Sequence, residues 1–200
     1  SQGTKSYTLK VPHCLCGHVD ISFAPNKDRR HSVGGHFETM NSVAVDWRTM
    51  KQLSCATSAT DVETRQYYTS AKRIVCIQNV LPKIGVLIPK SSPILPSFQL
   101  HYQLPTPVFE DNKGTRDMLA ARKVTSNLKH IDVPFTYLHS LHESATITTK
   151  SAQSSTMMAN LMTKQETGPQ HVKSTKWVTG RQFYPPHSSE HFRLLTDITP

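Results

Sequence analysis

Long apolar runs are missing from this chain: none approaches the roughly 18 residues that a membrane-spanning helix needs. No secretory leader stands at Ser1, and that start is expected to be a cut into a longer chain. Acid is scarce, with 14 Asp+Glu against 23 Lys+Arg and a formal net charge of +9. Hydrophobic residues make up 36% of the 200, low for a globular domain. One domain with a core, extended by exposed loops or tails, fits that shortfall. Cysteine is limited to Cys14, Cys16, Cys55 and Cys76. His13-Cys14-x-Cys16-x-His18 has the outline of a metal clip, but structural zinc sites pair two spaced ligand sets and no second set follows. Reduced thiols in an intracellular, non-secreted protein are the expectation.

What is present is base. The excess of Lys and Arg, with 11 His, favours a polyanionic partner, most simply nucleic acid. With acid so rare, the places where it gathers stand out. In Pro107-Val108-Phe109-Glu110-Asp111-Asn112-Lys113-Gly114 a short apolar run leads directly into carboxylates. Ligands collect outside the carboxyl ends of strands in open α/β sheets, and a carboxylate there is placed to hold a metal.

The rest of the chain supplies neighbours for that strand. Gly17 to Ala24 alternates, with Val19, Ile21 and Phe23 on one face and Asp20 and Ser22 on the other. Pro25 to Arg30 is a charged turn. Ser32 to Met40 and Val43 to Arg48 form a hairpin about Met40-Asn41-Ser42. Ser58 or Thr60 caps a helix whose apolar positions run from Val62 to Leu81, with Glu63 beside the stripe. It stops near Pro82 and Gly85.

Residues 82–107 hold six prolines and no clean periodicity, apart from an edge strand at Phe98 to Leu104, and read as a long loop. A helical segment over Asp117 to Arg122 follows. Asp132 caps a second helix with Pro134 in its first turn and Phe135, Leu138 and Leu141 on its buried face. Ala145 to Lys150 is a β-branched strand. Ser154-Ser155 starts a last helix carrying Met157, Met158, Leu161 and Met162. Gln165 to Pro200 reads as an irregular tail with Trp177, Phe183 and Tyr184 as docking points. His139 and His142 read as surface residues.

Eight blocks, in one colinear order from Gly3 to Lys164, resemble the ribonuclease H domain of a copia-type (LTR) retrotransposon Pol polyprotein. They are Gly3-Thr4-Lys5-Ser6-Tyr7, His18 to Ala24, Lys27 to Ser32, Val45 to Gln52, Ala56 to Glu63, Glu110 to Gly114, Leu128 to Val133 and Met158 to Lys164. The first of these is similar to the segment that follows the reverse transcriptase. Together they are specific where each alone is weak. The chain departs from the family at Ser22, where a second Asp is common, at Pro134 and Thr136, and in the length of the 82–107 loop.

The resemblance implies an α/β, ribonuclease H-like fold: a mixed five-stranded sheet flanked by helices. It divides the chain into a lead-in over 1–16, the domain over 17–164 and the tail over 165–200, which it does not cover. It maps the family's metal-binding carboxylates onto Asp20, Glu63 and Asp111, and the last acidic position onto Asn160. Two Mg²⁺ ions, with Mn²⁺ as substitute, are the implied cofactors. The implied activity is hydrolysis of the RNA strand of RNA–DNA hybrids during reverse transcription, in a cytoplasmic particle or the nucleus. The implied partners are that hybrid and the upstream reverse transcriptase, with no membrane. Arg29, Arg30, Lys129 and His130 are the candidate nucleic-acid contacts. An Asn at 160 adds no negative charge and weakens the second metal. A second reading follows from it: a degenerate or co-opted domain that binds nucleic acid or protein without cleaving.

Overall fold

A computed structural model describes residues 14–22, 31–41, 43–52, 58–86, 105–121 and 132–179. At its centre lies β1 (Leu15–Ser22), buried along seven of its eight positions. It is flanked on one side by β2 (Val33–Met40), antiparallel to it, and then by β3 (Val43–Lys51), antiparallel to β2. On its other side β4 (Thr106–Glu110) and β5 (Ile147–Ser151) run parallel to it. The sheet order is therefore β3-β2-β1-β4-β5. The mixed five-stranded sheet flanked by helices matches the architecture that the sequence resemblance implies.

The hairpin turns where expected, with Asn41 at a positive φ of 52°, a conformation Asn tolerates better than most residues. Helix α1 (Ala59–Val80) starts at Ser58, whose hydroxyl accepts the Asp61 N–H at 3.1 Å. It ends in a 3-10 turn over Leu81–Ile84 and a left-handed Gly85, as the Pro82 and Gly85 signals require. Its buried Tyr67, Ala71 and Ile74 pack with Leu15, Val19 and Val108 of the sheet. Gly17 permits the close approach: a Cβ there would stand 2.7 Å from Ile74 Cδ1.

Helices α2 (Lys113–Ala121) and α3 (Asp132–Glu143) complete that layer through Met118, Leu119, Phe135 and Leu138. Asn112 caps α2, its side-chain oxygen accepting the Thr115 N–H at 3.0 Å. On the opposite face lie a 3-10 turn over Ser154–Thr156 and the single-turn α4 (Asn160–Thr163). The last helix expected from Ser154 onward is thus two short pieces. Met157 and Met158 between them are buried in separate clusters, which a single straight helix face would not supply.

The expectation of an irregular tail is corrected over its first part. Helix α5 (Gly168–Val178) opens with Pro at its first turn, where the missing N–H costs nothing. Its Trp177 is 1% exposed and packs with Phe37 and Met158. Phe183, Tyr184, the edge strand at Phe98 to Leu104, and the blocks at Gly3 to Tyr7, Lys27 to Arg30 and Leu128 to Ile131 lie outside the described residues. No helix among the described residues is long and apolar enough to cross a membrane.

Candidate metal centre

The parallel pairing of β1 and β4 brings two acidic strand ends together. Val19 pairs with Glu110, so Asp20 and Asp111 each come one residue later at neighbouring chain positions. Side chains one apart point to opposite faces of a sheet. Val108 pairs with Gly17, the glycine covered by α1; Glu110, two residues on, shares that face. Glu63 comes down from the second turn of α1 to meet it. One carboxylate oxygen each from Glu63, Glu110 and Asp111 falls within 4.8 Å of the others.

Glu110 lies in the acidic stretch noted in the sequence but was not assigned to the site, and it is fully buried. Its Oε1 accepts the Asn112 N–H at 2.9 Å. Its Oε2 is buried without a hydrogen-bond partner, and so is Glu63 Oε2. Burial first, then repulsion by Glu110, Asp20 and Asp111, pushes the Glu63 carboxyl up to about 10. Burial and the Asp111 and Asp20 charges push Glu110 up to about 8, against the pull of the Asn112 N–H. Asp111, half-buried, is also raised by burial and by Asp20. These oxygens are the all-oxygen, mutually repelling donor set that a hard divalent cation relieves.

Asp20 stands beside this group and is held from the other side of the sheet. The Thr163 hydroxyl donates to its Oδ2, and Lys164 Nζ lies 3.1 Å from its Oδ1. The same ammonium donates to Asn160 Oδ1 at 2.6 Å. Asn160 Nδ2 donates in turn to the Ser154 carbonyl at 2.5 Å. The amide therefore occupies a fixed position, with its oxygen turned to Lys164. Thr163 and Lys164, like Glu110, carried no site assignment from the sequence; their signal was only their place at the end of the Met158 to Lys164 block.

The structure thus gathers Glu63 and Asp111 with Glu110, sets Asp20 close enough to repel all three, and links Asn160 to Asp20 through Lys164. Arg29, Arg30, Lys129 and His130 lie outside the described residues. His142, expected at the surface, is part-buried: its Nε2 is 3.0 Å from the Thr149 hydroxyl. His139 faces Glu143 at 3.6 Å. Of the metal-clip outline, His13 lies outside the described residues; His18 stacks on Phe109, ring centroids 4.9 Å apart, and Cys14 and Cys16 contact each other at 3.4 Å.

No protein-family model matches the chain. Among solved structures it is similar to the native protease-reverse transcriptase of prototype foamy virus, at 13% identity and a TM-score of 0.40. That similarity covers 70% of this chain and 17% of the viral one, so the chain spans under a fifth of that protein's length.

Proposed function

We propose that this chain is a metal-dependent ribonuclease H-type hydrolase that cleaves the RNA strand of RNA–DNA hybrids, within a copia-type retroelement polyprotein. The observation that carries this reading is the meeting of Glu63, Glu110 and Asp111 beside Asp20, at the adjacent ends of two parallel strands and one helix. Residues 17–164 form the domain, extended by α5, with a reverse transcriptase upstream and a cytoplasmic particle or the nucleus as its setting.

Glu63, Glu110 and Asp111 would hold Mg²⁺, or Mn²⁺ in its place, with Asp20 available to a second ion. Divalent ions so held supply an activated water and neutralise the phosphate and leaving oxygens of a phosphodiester. The chain's own part is positioning. The Asn112 N–H fixes one oxygen of Glu110 and leaves the other buried without a hydrogen-bond partner. The raised affinity of Glu63 and Glu110 for protons means that either carboxyl would have to give up a proton to hold a cation. Lys164 holds Asp20 and Asn160 on the far side and limits the negative charge there. Arg29, Arg30, Lys129 and His130 are the residues proposed to contact phosphates. Selecting RNA over DNA requires contacts to the 2′-hydroxyl in the shallow minor groove of the hybrid.

A specific observation favours a second reading. Where the family pattern has an acid, Asn160 offers a neutral oxygen, and the Lys164 ammonium bridges it to Asp20. A domain whose second cation position is filled by its own lysine would bind hybrid without cleaving it. The discriminating experiment uses a hybrid labelled separately on each strand, with Mg²⁺ and with Mn²⁺. Cleavage confined to the RNA strand supports the hydrolase. Retention of the hybrid with both strands intact in either metal supports the binding domain.

A further inference from the structure

A second cluster lies across β1 from the carboxylates. His36 and Glu38 are two apart on β2 and so share a face. Their opposite number on β3 is set by an irregularity: the register shifts between Glu38 and Thr39, so that Thr39 pairs with Ala44 but Glu38 pairs with Asp46. Without that bulge Val45 would stand opposite Glu38. Bulges often serve to re-aim a side chain, and this one delivers a carboxylate. One ligand atom each from His36, Glu38 and Asp46 lies within 4.8 Å of the others.

Helix α1 covers this face with Gln66, Ser70 and Arg73, three residues on one helical stripe. Each orients a member of the cluster. Ser70 Oγ donates to Glu38 Oε1 at 2.7 Å. Gln66 Nε2 lies 3.1 Å from His36 Nδ1. Arg73 Nε donates to Asp46 Oδ2 at 2.5 Å. What these contacts leave over are His36 Nε2 and Glu38 Oε2, 3.9 Å apart. Neither has a hydrogen-bond partner, and the two side chains are 1% and 0% exposed.

Leaving two such atoms dry and unmatched costs free energy. The gap is too long for a hydrogen bond between them. It is close to the spacing of two ligands on one ion, since atoms each about 2.0–2.2 Å from a metal stand roughly 3–4 Å apart. Metal-bound imidazoles donate their other N–H to a neighbour. In the structure the Gln66 Nε2 faces His36 Nδ1 and its Oε1 is buried without a partner; ion binding would go with the amide turned by 180°, so that Oε1 accepts the Nδ1 proton and leaves the ring Nε2 bare. Burial holds the imidazole neutral, its pKa lowered to about 4.

We propose that His36, Glu38 and Asp46 form a binding site for a transition-metal dication of the zinc type. One imidazole and two carboxylates select such an ion over Mg²⁺, which takes oxygen donors. Three protein ligands leave a fourth position open, on the partly exposed side of Asp46. The bound ion ties the β2–β3 hairpin together beneath α1, whose polar stripe already holds the three ligands. It is separate from the hydrolytic reading, because Glu63, Glu110 and Asp111 contribute oxygen alone.

The test is a Zn²⁺ titration of the full chain against a chromophoric chelator, repeated with Co²⁺ for its visible spectrum. Glu38→Gln keeps the shape of its side chain, and Asp46→Asn alters a part-exposed position; circular dichroism checks that each variant folds. Losing a direct ligand is expected to weaken the tightest Zn²⁺ event by about 100-fold or more, above the 10–100-fold typical of outer-shell partners. Asp111→Asn should leave that event unchanged, and the Co²⁺ bands should fade in the Glu38 and Asp46 variants only. The proposal is overturned if the parent takes up no Zn²⁺ at micromolar concentration. It is equally overturned if both variants bind Zn²⁺ as the parent does, which would move the ion to other histidines.

Discussion

Glu110→Gln isolates the electrostatics of the carboxylate centre. Glu110 is fully buried, and burial beside Asp111 and Asp20 raises its pKa from 4.5 to about 8. The folded state therefore holds a proton that the unfolded chain has released above about pH 4.5. Stability from this group is fully present below that pH and is lost as pH rises through about 8. The shift sets a ceiling on the order of 5 kcal/mol, from about 1.4 kcal/mol per pH unit. Gln keeps an oxygen for the Asn112 N–H and cannot ionise. In EDTA the variant should match the parent within about 1 kcal/mol at pH 5 and exceed it by roughly 2–4 kcal/mol at pH 8. Urea denaturation followed by tryptophan fluorescence measures both. Adding Mg²⁺ at about 100 times its Kd should recover about 2.7 kcal/mol for the parent at pH 8, and much less for the variant. A variant that is less stable than the parent at pH 8, or one with an unchanged pH slope, would refute the reasoning.

Three further outcomes follow from the same geometry. Asn160→Asp should lower the metal concentration needed for half-maximal hybrid cleavage, by adding a charge beside Asp20; an unchanged metal curve in an active parent would remove residue 160 from the site. Trp177→Ala should cost about 3–5 kcal/mol in chemical denaturation, as expected for an aromatic side chain lost from a closed cluster; a loss below about 1 kcal/mol would return α5 to the status of a tail. Hybrid affinity should fall steeply with salt through counterion release; a flat response between low and moderate salt would exclude the basic residues as a nucleic-acid surface.

The sheet was legible because its strands alternate or carry turn signals, and α1 because Ser58, Pro82 and Gly85 mark its ends. Asp111 was assigned because it lies in the acidic stretch after an apolar run and the family resemblance maps a carboxylate onto it. Glu110 was not, since an acid next to a turn looks solvated in sequence. Its burial depends on the parallel register with β1, which pairs it with Val19 and turns it under α1. The signal available was parity: Val108 and Glu110 share a face. Gly168-Pro169 looks like irregular chain in sequence, whereas proline in the first turn opens α5. The His36–Glu38–Asp46 cluster was not legible either, because a single extra residue in β3 decides whether Val45 or Asp46 faces Glu38.

The account rests on Glu63, Glu110 and Asp111 acting as a cation site, and anomalous X-ray scattering from Mn²⁺-soaked crystals tests that most directly. A Mn²⁺ peak in contact with oxygens of all three residues, absent in Asp111→Asn crystals, is the predicted result. Saturating Mn²⁺ with no peak among them, and Lys164 still bridging Asp20 and Asn160, would contradict it.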